Sequence, residues 1–208
     1  MDKNRVHFVL RRLHSLAGII PIGAYLFAHI FLENSFVLAG GQSFNGLVRA
    51  IALIPAPVLL ATEILVLWLP LLFHGVYGLV ILRSADVGTA LHYDYTRSYL
   101  YVLQRVTGVI AFFFIGFHVY TTRMAYYFGH TEITYDFMHA YMISPLWFTV
   151  YIVGVLASIF HFTNGIWTFC ITWGITVGVR AQRAVQYACT ALFVVMSGTG
   201  MAILVAFR

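Results

Sequence analysis

Charged side chains are scarce in this chain. Only 9% of its 208 residues are Asp, Glu, Lys or Arg, whereas 61% are hydrophobic. An ordinary soluble domain is about 25% charged and about 45–50% apolar. A domain of this size cannot hide such an excess of apolar side chains in its own core. The composition therefore excludes an ordinary soluble protein and indicates that lipid surrounds much of the surface.

The apolar residues form five long runs that are separated by short connections. A membrane-spanning helix needs about 20 mostly apolar residues, and only helices and closed barrels satisfy their backbone in lipid. The runs do not alternate with polar residues, which favours helices. We predict an all-α membrane protein, one domain over 1–208, with a further short surface helix at 44–54. The five transmembrane helices are predicted at about 13–33, 57–83, 101–127, 145–172 and 184–207.

Basic residues are distributed unevenly between the two ends of the predicted bundle. With a cytoplasmic N-terminus, nine of the 12 Lys and Arg residues lie inside. The three outside are Arg49, Arg123 and Arg208. This bias obeys the positive-inside rule, so we predict that the N-terminus is cytoplasmic and the C-terminus lies outside.

Four of the nine histidines lie inside apolar runs, one on each of the first four helices. An ionisable side chain within the membrane is costly and marks a functional site by default. Their depth sorts them into an outer pair, His29 with His118, and an inner pair, His74 with His161. At about 1.5 Å rise per residue, the two levels differ by roughly 10–15 Å. The other five are interpreted as interfacial or solvated: His7, His14, His92, His130 and His139.

Two levels with two imidazoles each suit two stacked b-type haems with bis-histidine ligation. Zinc would need three or four ligands together. The cysteines, Cys170 and Cys189, form no C-x-x-C-H motif and are expected to be free thiols, so covalent c-type haem is excluded. The alternative from another class is a transporter or proton channel lined by histidines.

Several residues near these histidines are candidates for the haem environment. Gly78 and Gly165 follow the inner histidines at i+4, where a small residue lets a flat macrocycle approach. The alternative is ordinary small-residue helix packing. Ser15, Arg105 and Arg123 are candidate donors to haem propionates, and the arginines are equally explained as membrane anchors.

Glu63 is the most informative carboxylate. It precedes His74 by eleven residues, which is three helical turns, and so it shares the face of that histidine. It is a candidate proton acceptor for a quinol at the outer haem. The alternative is a carboxylate that the helix dipole favours and that reaches out to water. Glu33, four residues after His29, is interpreted as interfacial.

The order of five short motifs resembles one family, the cytochrome b membrane anchor of succinate:quinone oxidoreductases. The match is to the single-chain, five-helix, di-haem type of menaquinone-using bacteria, and it covers essentially the whole chain. The motifs are Arg11-Arg-Leu-His-Ser15, His74-Gly-Val-Tyr-Gly78, Leu103-Gln-Arg-Val-Thr-Gly108, His161-Phe-Thr-Asn-Gly165 and Thr172-Trp-Gly-Ile-Thr176.

The resemblance implies a flavoprotein subunit and an iron–sulfur subunit on the cytoplasmic side of a bacterial inner membrane. Dicarboxylate chemistry then belongs to the flavoprotein, while this chain carries electrons through both haems to menaquinone near the outer haem. Some fumarate-reducing relatives carry a glutamate two residues before the last ligand, where this chain has Ile159. That difference favours succinate oxidation. The alternatives are a quinol:fumarate reductase anchor and the di-haem anchor of another respiratory enzyme.

Overall fold

The computed structural model describes residues 2–84, 88, 92, 95–129 and 131–208. Within these residues five helices are long and apolar enough to cross a membrane, and no strand occurs. The prediction of an all-α protein with five spanning helices is therefore confirmed. The helices are α1 (Asn4–Ala39), α2 (Ala56–Arg83), α3 (Thr96–Gly129), α4 (Pro145–Thr172) and α5 (Val179–Ala206).

Three of the helices are longer than the apolar runs that predicted them. Helix α1 starts at the N-terminal end of the chain, where the side chain of Asp2 accepts a hydrogen bond from the backbone of Asn4. It ends before Gly40, whose φ of 102° breaks the helical path. Polar residues at the membrane surface do not stop a helix, so hydropathy underestimates its length.

Helices α1 to α3 contain four π-helical segments, while α4 and α5 are regular α-helices. A π-turn accommodates one residue more than an α-turn. Pro21 lies inside the first segment and Pro70 lies two residues after the third. These wide turns accept prolines that would otherwise disrupt the helical hydrogen bonds. The segments are Gly18–Gly23, His29–Glu33, Glu63–Trp68 and Tyr120–Met124.

The best-packed part of the bundle lies around α4. This helix packs along both α3 and α5, and it contributes the largest set of buried side chains. In the most apolar stretch of α4, 33% of the residues are buried, whereas in the corresponding stretch of α2 none is buried. Helix α2 therefore lies at the edge of the protein core. Both cysteines are free thiols, as expected.

Two short helices, Gly41–Ala52 and Tyr135–Met142, form a cap at the C-terminal end of the bundle. The Tyr135 amide donates to the side-chain oxygen of Asn45 at 2.7 Å. The ring of Phe44 stands edge-on to that of Phe207, with 4.9 Å between centroids. The first cap helix confirms the predicted surface helix at 44–54, whereas the second was not predicted.

Candidate functional site

The four membrane histidines lie in two pairs across the bundle. The ring centroids of His29 and His118 are 6.0 Å apart with 69° between ring planes. Those of His74 and His161 are also 6.0 Å apart, at 83°. A metal ion that binds two imidazole nitrogens at about 2 Å each holds the two ring centres about 6 Å apart. Both pairs therefore have the spacing that one bridging metal atom requires.

In the inner pair, each imidazole is fixed through Nδ1 by a backbone carbonyl of the preceding helix. His74 donates to the carbonyl oxygen of His14 at 2.8 Å, and His161 donates to that of Gln104 at 2.9 Å. Because a carbonyl only accepts, the proton sits on Nδ1 and the lone pair of Nε2 stays available. This is the outer-shell arrangement that orients a metal-binding histidine.

In the outer pair, the same atom contacts side chains. Nδ1 of His29 lies 2.6 Å from a carboxylate oxygen of Glu33, and Nδ1 of His118 lies 3.2 Å from the hydroxyl of Tyr151. Across the described part of the chain, no hydrogen bond reaches Nε2 of any of the four rings. All four therefore keep one ring nitrogen free of hydrogen bonds.

The inner pair depends on two glycines, Gly18 and Gly108, of which the second ends one of the sequence motifs. A Cβ atom on Gly18 would lie 2.4 Å from Cε1 of His74, and one on Gly108 would lie 2.7 Å from Cε1 of His161. Each glycine follows its hydrogen-bonding carbonyl, at position 14 or 104, by four residues. The same arrangement is thus built once by α1 with α2 and once by α3 with α4.

The glycines proposed from the sequence, Gly78 and Gly165, face His14 and Gln104 and not the inner imidazoles. A Cβ on Gly78 would lie 3.1 Å from Nε2 of His14, and one on Gly165 would lie 3.5 Å from Nε2 of Gln104. They make room for the two residues whose carbonyls hold the inner histidines. Gly78 and Gly165 therefore affect the inner pair indirectly, because they leave space for His14 and Gln104.

The two halves of this repeat differ by one residue, and a π-helix absorbs the difference. Gly18 precedes its outer histidine, His29, by eleven residues, whereas Gly108 precedes His118 by ten. The π-helical segment Gly18–Gly23 occupies that interval in α1, and the corresponding part of α3 is regular α-helix. A π-turn holds one residue more than an α-turn, so the segment compensates for the longer interval in α1.

Two arginines carry buried nitrogen atoms that lack a partner. Nε of Arg105 and Nε of Arg123 are buried without a hydrogen bond, among few such atoms in the described residues. Arg105 donates Nη1 to the carbonyl of Tyr101 at 2.9 Å and stacks on the ring of that residue. A buried unpaired guanidinium nitrogen is costly, so an anionic group beside each arginine would complete its hydrogen bonding.

Ser15 lies at the same end of the bundle as Arg105. Its hydroxyl accepts from the indole N–H of Trp173 at 3.0 Å, which ties α1 to the end of α4. The hydroxyl keeps its own proton to donate. The structure thus leaves Ser15 able to reach a further acceptor.

Glu63 connects α2 to α3 and does not extend into water. One carboxylate oxygen lies 2.5 Å from Nη2 of Arg123, and the other accepts from the hydroxyl of Tyr127 at 3.1 Å. The side chain of Glu63 is 13% exposed. The ring of Trp68 packs edge-on against Tyr127, 6.3 Å between centroids. The cluster is polar, nearly buried and close to the end of the bundle that holds the outer pair.

Sequence reasoning missed several residues that the site uses. His14 was interpreted as interfacial, but its ring stacks on His74 with 4.0 Å between centroids and 9° between planes. Asn164 donates to Oε1 of Gln104 at 2.7 Å, and Gln104 donates to the His161 carbonyl at 3.0 Å. The amide side chains of Gln104 and Asn164, which lie within predicted spanning helices, are a signal that could have found them. His130 lies outside the described residues.

Comparison with known proteins identifies the family. Residues 89–200 match the family model described as succinate dehydrogenase/fumarate reductase transmembrane subunit. The chain is also 43% identical, over the full length of both proteins, to the succinate dehydrogenase cytochrome b558 subunit of Bacillus subtilis (strain 168). Both matches agree with the family that the sequence motifs resemble. The chain belongs to the succinate dehydrogenase/fumarate reductase transmembrane subunit family.

Proposed function

We propose that this chain holds two b-type haems and carries electrons between an iron–sulfur partner subunit and a membrane quinone. His74 and His161 hold the inner haem iron, and His29 and His118 hold the outer one. The observation that supports this most strongly is the pairing of the four imidazoles at 6.0 Å with Nε2 free. The name of the Bacillus subtilis relative, a cytochrome b, agrees with haem b as the cofactor.

The surroundings of the two pairs fit a haem better than a lone metal ion. No group of three or more His, Cys, Asp or Glu side chains that could hold an ion occurs among the described residues. The unpaired nitrogens of Arg105 and Arg123 suit propionate oxygens, and Ser15 is placed to donate near the inner pair. When bound, the haems supply one-electron redox chemistry. The protein would supply the histidine nitrogens that hold the iron, the orientation of their rings and the separation from water.

The quinone is proposed to bind near Glu63. A quinone takes up two protons when it is reduced, and a quinol releases them when it is oxidised. The carboxylate of Glu63 is positioned to accept or return such a proton, while Arg123 and Tyr127 hold it in place. The quinone is proposed to be menaquinone, as in the family type that the sequence resembles.

The succinate-oxidising direction is proposed from the chemistry of α4. Ile159 is fully buried, so this position offers no carboxylate for proton movement beside His161. A flavoprotein subunit and an iron–sulfur subunit are proposed as partners at the N-terminal end of the bundle. The membrane is proposed to be the bacterial cytoplasmic membrane, consistent with the Bacillus subtilis relative. The family model and the relative reported above both favour this reading over a transporter or the anchor of a different respiratory enzyme.

The proposal is tested by purifying the complex from its native membrane through a tag on this chain. We expect a flavoprotein and an iron–sulfur protein to co-purify and a haem extraction assay to give two haems b per chain. A reduced-minus-oxidised spectrum should show b-type bands that succinate reduces. A complex without haem b, or with one haem per chain, contradicts the proposal.

A further inference from the structure

The four proposed ligands differ in what their Nδ1 atoms contact. Two contact backbone carbonyls and one contacts a tyrosine hydroxyl, all at 2.8 to 3.2 Å. His29 alone contacts a carboxylate, that of Glu33, and at 2.6 Å this distance is the shortest of the four. The hydroxyl of Tyr25 lies 3.3 Å from the same nitrogen.

The backbone around Glu33 is built to keep this contact. His29 and Glu33 are the first and last residues of one π-helical segment, and side chains at i and i+4 are neighbours on a helix. The side chain of Asn34 donates to the carbonyl of His29 at 2.9 Å. The hydroxyl of Ser35 donates to the carbonyl of Phe31 at 2.6 Å. The first of these bonds adds to the one that the backbone amide of Asn34 already donates to the same carbonyl, so side chains reinforce the end of this segment.

Two groups in the described structure donate to the carboxylate of Glu33, namely Nδ1 of His29 and the hydroxyl of Tyr25. Among the described residues, His29 is the only ion-pair partner of Glu33, whose side chain is 31% exposed. Glu33 also lies in the last part of α1, where the helix dipole disfavours negative charge. The Nδ1–H of His29, 2.6 Å away, is therefore a donor that stabilises the carboxylate.

We infer that Glu33 is a positioning residue that lowers the reduction potential of the outer haem through His29. A carboxylate that accepts the Nδ1 proton makes the imidazole a stronger donor at Nε2. A stronger axial donor stabilises the oxidised iron, because second-shell hydrogen bonds tune the potential of a haem. The inner ligands face neutral carbonyls, so this effect acts on one haem only. The inference rests on the proposed outer haem.

The test is redox titration of the purified complex carrying Glu33→Gln. Gln keeps the shape of the side chain and an oxygen that can accept the proton, but it removes the charge. We expect both haems to remain and the outer haem to titrate at a more positive potential, while the inner haem is unchanged. The outer wave is identified as the one that a His118→Ala variant loses. The low-spin ferric EPR signal of the outer haem should shift as well.

Glu63→Gln is the matched control, because it removes a carboxylate from the same end of the bundle without touching an imidazole. It should leave the EPR signal of the outer haem in place and move its potential less than Glu33→Gln does. Equal shifts in both variants, with an unchanged EPR signal, overturn the inference, since the charge then acts through space. An unchanged outer potential in Glu33→Gln overturns it too.

A Glu33→Asp variant covers the case in which Glu33→Gln fails to assemble. The shorter side chain weakens the contact with Nδ1, so an upward shift of the outer wave supports the inference and no shift overturns it. Failure of the proposed function gives a different result. If a His29→Ala complex keeps both haems, the ligand assignment is wrong whatever Glu33 does.

Discussion

His74 receives three contacts from α1, and only one of them depends on the side chain of His14. The backbone carbonyl of His14 accepts from Nδ1, the His14 ring stacks on the imidazole, and Gly18 lies against its edge. Since a backbone carbonyl survives substitution, the hydrogen bond and the stacking can be separated by mutation.

We expect His74→Ala to remove the inner haem and His14→Ala to keep it. The first substitution deletes a proposed ligand, whereas the second keeps the carbonyl that holds His74 and loses only the stacked ring. Haem content and the reduced-minus-oxidised spectrum of the purified complex measure both outcomes. Two haems retained in His74→Ala would show that this residue is not a ligand.

A second residue-scale prediction concerns Glu63. Glu63→Gln should slow quinone-linked turnover by about 10²-fold or more, because a positioned proton acceptor typically contributes 10²–10⁴-fold. The haem spectrum should remain that of the unmodified complex. Thr62→Ala is the matched control, since the Thr62 hydroxyl bonds to the carbonyl of Val58 and not to Glu63. Succinate:quinone reductase activity is the measurement, and unchanged activity in Glu63→Gln contradicts the role.

At the scale of the residue, the sequence indicates which side chains belong to the candidate site, but it does not indicate their hydrogen-bond partners. The four histidines, Arg105 and Arg123 are proposed from the sequence because ionisable groups are rare in apolar runs. The Nδ1 partners were not found, because they depend on which carbonyl of a neighbouring helix each ring faces. Glu33 was interpreted as interfacial because hydropathy does not reveal a contact within one helical turn.

At the scale of the secondary-structure element, the π-helical segments coincide with residues of the proposed site. Two of them begin at proposed site residues, His29 and Glu63, and a third contains Arg123. The fourth, Gly18–Gly23, begins at the glycine that contacts His74. π-turns are frequent at functional sites, and here they adjust the direction of side chains along helices that cross two levels of the site.

Deleting Pro21 should therefore be tolerated. The deletion removes the extra residue of the π-turn and gives α1 the same spacing between glycine and outer histidine as α3. Deleting Phe113 from the regular part of α3 should instead rotate His118 by about 100° relative to Gly108. Haem content of the two complexes is the comparison. Loss of a haem in the Pro21 deletion would show that the π-turn does more than adjust the spacing between Gly18 and His29.

The close contacts of Gly18 and Gly108 with the inner histidines lead to a further prediction. Gly108→Ala places a Cβ 2.7 Å from Cε1 of His161, so the imidazole must move and the inner haem should be lost or show an altered spectrum. Gly116→Ala on the same helix is the control, because its Cβ would meet nothing within 4 Å. The spectrum and the thermal stability of each complex report the effect. Equal spectra and equal thermal stabilities of the two variants would contradict a close contact between Gly108 and His161.

The sequence predicted the spanning helices well because lipid leaves the backbone few alternatives. It did not predict the π-segments, since a single extra residue leaves the apolar composition unchanged. The helix Tyr135–Met142 was missed for another reason. Its buried methionines, Met138 and Met142, pack in a core cluster with other parts of the chain, and only the tertiary structure brings those parts together.

At the scale of the molecule, the distribution of arginine predicts the orientation. An alkaline phosphatase fusion after Arg208 should be active, because the C-terminus is expected outside, and a fusion after Ser84 should be inactive. A fluorescent protein fused at the same two positions should show the opposite pattern. Activity of the Ser84 phosphatase fusion would reverse the predicted topology.

The cap gives the bundle two unequal sides at its C-terminal end. Its short helices pack against the ends of α1 and α5 and against the start of α4. Glu63, Arg123 and Tyr127 lie on the other side, between α2 and α3. A quinone with a long isoprenoid tail would then arrive sideways, by diffusion within the bilayer. Its turnover should accordingly depend on membrane fluidity and tail length more than on solubility in water.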